Sequence, residues 1–385
     1  MSDRISCLPD TLLIHILLLL PIKEAVATSV LAKRWRPLWL SLPTLHFNDQ
    51  NYLQNKDTYS RFLQLVYTVM LLRDASQPIQ SFNLECESPL CNTFIVNAWV
   101  TAAIQLKVEC LSLSLSSTVN LPSCILTSTN LVVLNLKGLT VKSVSSVSLP
   151  SLKTLHLRWV RFLERKFLFE VLSSCPVLED LLMSFVLLTK QSLGGQIKSL
   201  PKLIKADISD LPSLKTLHLR WVRFLERKFL FEVLSSCPVL EDLLMSFVLL
   251  TKQSLGGQIK SLPKLIKADI SECDFTIPIA EFYKAEFLRI EVVRIYMYYN
   301  DWEESWVYPQ SVPNCLSSQL KRCSLKNYDG RQHEVGFAKY IMQNARVLYD
   351  LTIQSRSSDL EIKFRMIKDL STCPRISATC EINFL

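Results

Sequence analysis

Thiols, imidazoles and paired carboxylates are the groups through which a chain of 385 residues could attack a substrate or hold a metal, and this one has 12 cysteines but only 5 histidines. A thiolate nucleophile needs an imidazole beside it, and a zinc site needs Cys and His ligands in close pairs. Neither spacing occurs: there is no CxxC pair, no Cys/His quartet, and no Ser/His/Asp set or carboxylate pair at usable spacing. Two of the histidines, His156 and His218, are copies of one another within a repeated segment, and His15 sits in an apolar run without a partner. The cysteines therefore read as small apolar residues in a reducing compartment, and the chain as non-enzymatic, with no catalytic residue, metal or cofactor. Glycine narrows the field further. Only 7 are present, against roughly 27 at average usage, so glycine-rich phosphate cradles and dinucleotide turns have almost nothing to be built from.

With catalysis set aside, the elements themselves carry the function. Hydrophobic residues make up 49% and charged residues 20%, enough for a large core spread over several modules. The net charge of +8 is dispersed along the chain, so nucleic acid is not expected as a partner. The run 12–20, LLIHILLLL, imitates the apolar part of a signal peptide, but Asp3, Asp10 and Pro9 precede it, His15 interrupts it and Pro21 closes it. It is too short to cross a bilayer. No membrane association is expected, and the location expected is cytoplasm and/or nucleus.

Pro9 stands where the first residue of a helix should, Asp10 favours the helix dipole, and Leu12, Leu13, Ile16, Leu17 and Leu20 recur at helical spacing. Pro21 ends that helix, Lys23 and Glu24 open a second, and a third short segment carries Lys33, Arg34, Trp35 and Trp39. Three helices in about 40 residues make too little core to stand alone, so the unit wants a partner. Leu8-Pro9-Asp10, Ile16-Leu17, Leu20-Pro21, the run EAVATSVLAKRW and Pro37-Leu38-Trp39 resemble the F-box. That resemblance implies apolar side chains inserted into the Skp-type adaptor of a cullin-RING ubiquitin ligase. The matching candidates are Leu8, Pro9, Ile16, Leu20, Pro21, Val30, Leu31 and Trp35.

From residue 79, apolar triplets recur as LxxLxL: Ile79-Phe82-Leu84, Val108-Leu111-Leu113, Leu131-Leu134-Leu136, Leu152-Leu155-Leu157, Leu178-Leu181-Met183 and Leu203-Ala206-Ile208. Their spacings, 21 to 29 residues, are close to those of leucine-rich repeats, in which a short strand and a return segment bury their apolar edges only against neighbours. Phe167, Leu168, Val171 and Leu172 mark a helix on the far side. The segment 149–209 recurs at 211–271, 61 residues without a change. Fold constraint cannot produce identity at exposed positions, so this is a recent tandem duplication or a gene-model artefact. Each 62-residue unit, a copy with the one residue that follows it, carries 9 Lys/Arg and 6 Asp/Glu, so the two supply +6 of the net +8. Ala206 lies only 11 residues before Leu217, too few for one turn of a repeat, so an irregular corner or a poorly docked second copy is expected near 209–212. The basic runs Arg158, Arg161, Arg165, Lys166 and Arg220, Arg223, Arg227, Lys228 are interleaved with acids and read as solvated faces. Trp159 and Trp221, with His156 and His218, are the candidate target-binding residues, the histidines pointing away from the strand leucines.

Residues 300–312 read as a loop. Beyond them Leu320-Cys323-Leu325 reads as a strand, 335–345 as a helix, 347–353 as a strand, 360–370 as a helix and 376–384 as a final strand. Val312-Pro313, Tyr340-Ile341, Asn344-Ala345, Leu351-Thr352-Ile353 and the run 371–375 resemble the FBD domain. In this order the three segments resemble the plant F-box/FBD/LRR-repeat family. The expected fold is an α+β or α/β solenoid: F-box at 1–45, helical linker at 46–78, irregular repeat array at 79–299, linker at 300–312 and a capping FBD domain at 313–385. The resemblance implies the substrate-recognition subunit of an SCF-type ligase, binding the Skp-type adaptor at one end and a target protein along the repeats. The alternative is an interaction scaffold outside any ligase, or a defective duplicated copy.

Overall fold

The computed structural model describes residues 5–53, 55–116, 119–142, 146–188, 211–252, 262–271, 273, 284–291, 312–356 and 359–385. The chain divides into two units, 1–178 with 186–206, and 179–185 with 207–385. The backbone is mixed α/β, and its dominant feature is a parallel ladder of short strands.

In the first unit, helices α1 (Asp10–Leu18) and α2 (Ile22–Ala27) lead through short helical turns into strand β1 (Thr44–Asn48). Helix α3 (Lys56–Leu72), strand β2 (Ser81–Cys86), helix α4 (Thr93–Gln105), and strands β3 (Cys110–Leu115), β4 (Val133–Lys137), β5 (Thr140–Val141), β6 (Thr154–Arg158) and β7 (Arg161–Phe162) follow, then helix α5 (Arg165–Ser173). In chain order β8 (Asp180–Ser184) belongs to the second unit and the two-residue β9 (Leu187–Leu188) to the first. The ladder runs β1, β2, β3, β4, β6, each pair parallel and in register, so that Leu45, Phe82, Leu111, Leu134 and Leu155 line up. All five side chains are fully buried. Alternation does the rest: every second residue of a strand points to the same face, so one face is aliphatic core and the other carries Ser112, Asn135 and His156.

This ladder starts before residue 79. Leu42, Leu45 and Phe47 form one more apolar triplet, all buried, and β1 pairs with β2. The span 46–78 is therefore not a linker alone: it holds the end of a ladder strand and then α3, whose Tyr59, Phe62, Val66 and Val69 face inward. Asn55 caps α3 by accepting from the Thr58 backbone N–H at 2.8 Å. Trp99 of α4 meets Phe62 edge-on at 6.0 Å.

The second unit repeats the plan: β8, β10 (Thr216–Arg220), β11 (Arg223–Glu226), α6 (Arg227–Ser235), β12 (Asp242–Ser246), β13 (Leu249–Lys252), β14 (Lys267–Ser271) and β15 (Phe287–Glu291). Helix α7 (Asn314–Ser318), β16 (Arg322–Tyr328), α8 (Gln332–Asn344), β17 (Asp350–Ser355), α9 (Leu360–Ser371) and β18 (Glu381–Phe384) complete it. Here the ladder runs β8, β10, β12, β14, β15, β16, β17, β18. The last three strands continue the same parallel ladder, so the carboxyl-terminal segment extends it as well as ending it. The smaller pairings β5–β7–β9 and β11–β13 lie just beyond the ladder strands.

The expected 11-residue step does not occur in the ladder. β10 pairs directly with β8, Leu217 opposite Leu181, a step of 36 residues, because a return segment of 11 cannot leave the sheet and come back. The triplet Leu203-Ala206-Ile208 and the loop 300–311 lie outside the described residues, as does the corner at 209–210. The second copy docks in register on both sides, β10 opposite β8 and β14 opposite β15.

Candidate protein-interaction surfaces

Helix α1 has two unlike apolar faces. Leu13 and Leu17 are buried against the rest of the unit, whereas Leu12, Ile16 and Leu19, spaced four and three residues apart, remain 50%, 37% and 84% exposed. Val30 and Leu31, on the turn after α2, are 84% and 65% exposed. Pro9 and Pro21 are exposed and begin α1 and α2 as stiff entry residues, while Leu8 and Leu20 are half-buried. Trp35 faces inward: it is buried, and its Nε1–H donates to Ser6 Oγ at 2.8 Å. Its neighbour Arg34 forks onto Asp10, Nε at 3.0 Å and Nη2 at 2.7 Å from Oδ1, and donates to the Ser6 carbonyl. The Lys-Arg-Trp stretch thus ties the start of α1 to the last helical turns and holds the apolar ridge in place. His15 is exposed, with Nδ1 3.0 Å from the Thr11 carbonyl, on a helix face as its isolation suggested. Leu12 and Leu19 are not among the adaptor-facing candidates that the motif supplies. Both are apolar like the core leucines, and only packing separates the two sets.

The polar face of the ladder differs between the units. In the first, Ser112, Asn135 and His156 form one row and Ser114, Lys137 and Arg158 the next, directly opposite one another across β3, β4 and β6. These six side chains line a cavity of about 180 Å³. In the second unit acids stand among the basic side chains of the same face. His218 Nε2 is 3.7 Å from Asp242 Oδ1, Lys267 Nζ is 3.1 Å from Asp242 Oδ2, and Arg289 Nη1 is 3.1 Å from Asp269 Oδ2. His156 and His218 both lie on this face, opposite in sense to their flanking leucines and half-buried.

Trp159 and Trp221 occupy a shared backbone position, the residue after the strand, with φ of 56° and 53°, and Phe185 and Phe247 take it with 54° and 53°. Glycine takes it after β4: a Cβ on Gly138, φ 72°, would lie 2.0 Å from the Leu115 carbonyl oxygen. The left-handed turn aims each backbone N–H at the next strand, as Trp221 donates to the Ser246 carbonyl at 2.9 Å and Phe247 to that of Ser271 at 3.1 Å. It also stacks the rings. Trp221 lies parallel to Phe247 with centroids 3.7 Å apart and to Phe185 at 5.4 Å. Trp221 is nonetheless 46% exposed and Trp159 56%, so both present ring surface to solvent.

On the buried side the two copies of one thiol have the same surroundings. Burial pushes Cys175 and its copy Cys237 up to about 12, and each Sγ donates to a helix carbonyl, Val171 or Val233, at 3.1 Å. Among the described residues no group of three or more His, Cys, Asp or Glu could hold a metal ion, and no helix is long and apolar enough to cross a membrane.

Comparison with known proteins adds a second line of observation. Residues 5–47 match the F-box domain model, 151–176 and 213–238 the leucine-rich repeat model, and 308–353 the FBD model. The chain is 30% identical over 416 residues to an FBD-associated F-box protein of Arabidopsis thaliana, covering 99% of this chain and all of that one. An F-box/FBD/LRR-repeat protein from the same plant is 30% identical over 429 residues, covering 99% of each.

Proposed function

The chain belongs to the F-box/FBD/LRR-repeat family, and from that premise we propose that it is the substrate-recognition subunit of an SCF-type cullin-RING ubiquitin ligase. A substrate-adaptor role in general follows from the F-box and repeat segments and from the relatives. The finer reading is that the amino-terminal helices hold a Skp-type adaptor and the polar face of the ladder holds the target. Its work is positioning: tethering a target raises the effective concentration of its lysines near the conjugating enzyme. The observation that carries the reading is the outward ridge Leu12, Ile16 and Leu19 on a helix whose other face is already buried, inside the segment that matches the F-box. With Val30 and Leu31, and the prolines Pro9 and Pro21 that set the helix starts, it suits the apolar core of an interface. Trp35 supports the ridge from behind, and Leu8 and Leu20 flank it half-buried.

Co-purification with a Skp-type adaptor tests this. The intact chain should retain the adaptor, and Leu12→Glu with Leu19→Glu should lose it by at least about tenfold in affinity, since each charge is driven into an apolar contact. Circular dichroism should show the variant still folded, because both side chains are exposed. Equal retention by the intact chain and the variant would remove the ridge from the interface. The in-register docking of the second copy, on β8 before it and β15 after it, speaks against the defective-copy alternative.

A further inference from the structure

We propose that the grid Ser112, Ser114, Asn135, Lys137, His156 and Arg158 is a recognition site for an extended peptide bearing an anionic side chain, a carboxylate or a phosphorylated hydroxyl. The inference rests on the receptor reading above and names the chemistry of the target segment.

Four observations converge on this. The six side chains line one cavity on the polar face of β3, β4 and β6, about 180 Å³, which suits a side chain and a stretch of backbone better than a whole cofactor. Lys137 and Arg158 stand directly opposite on adjacent strands, where neighbouring strands lie about 4.8 Å apart and like charges repel. Neither cation is neutralised in a buried pair: Lys137 reaches only the half-exposed Glu87, at 3.4 Å, and Arg158 pairs with no acid among the described residues. Finally, Asn135 Oδ1 is buried and accepts no hydrogen bond among the described residues, which costs free energy until a donor reaches it.

These requirements are complementary. An anionic group between Lys137 and Arg158 relieves their repulsion and can take further hydrogen bonds from the Ser112 and Ser114 hydroxyls. The orphaned amide oxygen wants an N–H, which a peptide backbone supplies and an isolated anion does not. The acids on and just after β2 lie beside the grid. Glu85, opposite Ser114, is held by His46 at 3.2 Å and Asn48 at 2.6 Å, and Glu87 is 52% exposed. The duplicated strand offers no second such site. Arg220, the copy of Arg158, has Ser184 and Ser246 as its cross-strand neighbours, so no second cation stands beside it.

The test is fluorescence anisotropy on the full chain co-purified with its adaptor, using labelled Gly-Ser peptides carrying three glutamates, three phosphoserines or three glutamines. Both acidic probes should bind at least about tenfold more tightly than the glutamine probe, whichever of the two is preferred. Arg158→Ala and Lys137→Ala should each weaken binding about five- to twentyfold, and Asn135→Asp should abolish it by adding a like charge. Arg220→Ala should change it less than twofold. Equal binding of acidic and glutamine probes, equal effects of Arg158→Ala and Arg220→Ala, or tighter binding of a single-stranded oligonucleotide than of either peptide would each overturn the assignment. Full competition by inorganic phosphate at the concentration of the peptide would also overturn it, since the backbone contact would then contribute nothing. Adaptor retention in the same preparation separates the two readings. Peptide binding without adaptor sinks the receptor role alone, and adaptor without peptide sinks this site alone.

Discussion

The two copies of the 61-residue segment share every side chain and still do different things. On the side of the preceding strand, His156 has Asn135 of β4 as its neighbour, whereas His218 has Leu182 of β8. Arg158 is paired across the sheet with Lys137, and Arg220 with two serines. On the buried side the copies are alike: Leu155 and Leu217 are both fully buried, and Cys175 and Cys237 are both pushed up to about 12. A strand's inward residues meet the same leucines in any repeat, but its outward residues take their chemistry from whichever strand lies alongside. Core is thus inherited with the sequence, while the binding face depends on position in the ladder.

The most severe way to break this comparison is to delete one copy. Removing residues 210–271 leaves the sequence of one intact copy joined at Glu272, with 205–209 where β14 stood, before β15. The shortened chain should fold cooperatively, and in it the amides of 206–208 should show the hydrogen-exchange protection that those of β14 show in the full chain. Loss of the folded state would mean that the second copy supplies something the first cannot.

A smaller effect is expected from Trp221→Ala, which removes the middle ring of the Phe185–Trp221–Phe247 stack. Aromatic pairs are worth roughly 0.5–1.5 kcal/mol each beyond area burial, so chemical denaturation should report a loss of about 2 kcal/mol. Trp221→Phe, which keeps a ring, should recover about half. If alanine costs nothing, the ring is free for a partner and the stack has no structural role.

The smallest effect sharpens the buried side of the comparison. A thiol raised to about 12 in the folded state, from 9.0 unfolded, stabilises fully below about pH 9. That contribution is lost as pH rises through 9 to 12, because the unfolded thiol ionises first, at up to about 1.4 kcal/mol per pH unit for each group. Cys175→Ala and Cys237→Ala should reduce the alkaline slope equally. A clear inequality would show that the copies are packed differently inside as well as outside.

Much of the fold is legible in the local pattern of residues. The LxxLxL triplets predict the ladder strands, and Phe167, Leu168, Val171 and Leu172 predict α5, because alternation and helical period are local properties. The strands and helices after residue 320 are legible for the same reason. Leu42-Leu45-Phe47 carries the same signal, but the helical motif directly before it masks the strand. The left-handed turns at Trp159, Phe185, Trp221 and Phe247 are not legible, since a large aromatic is a poor sequence marker for positive φ. The anionic-peptide grid is invisible in the sequence as well. Its residues come from three strands 21 or more positions apart, none unusual in its own stretch.

By itself, then, the sequence determined the repeat period, the helical amino-terminal module and the buried face of each strand, because these depend on neighbours a few residues away. Only the tertiary structure decided which of α1's leucines face outward, which strand lies beside which, and that β8 takes β10 as its partner across 36 residues. Hydrogen-bonded pairing and packing join residues distant in the chain, and two identical sequences acquire different open faces from the neighbours that pairing gives them.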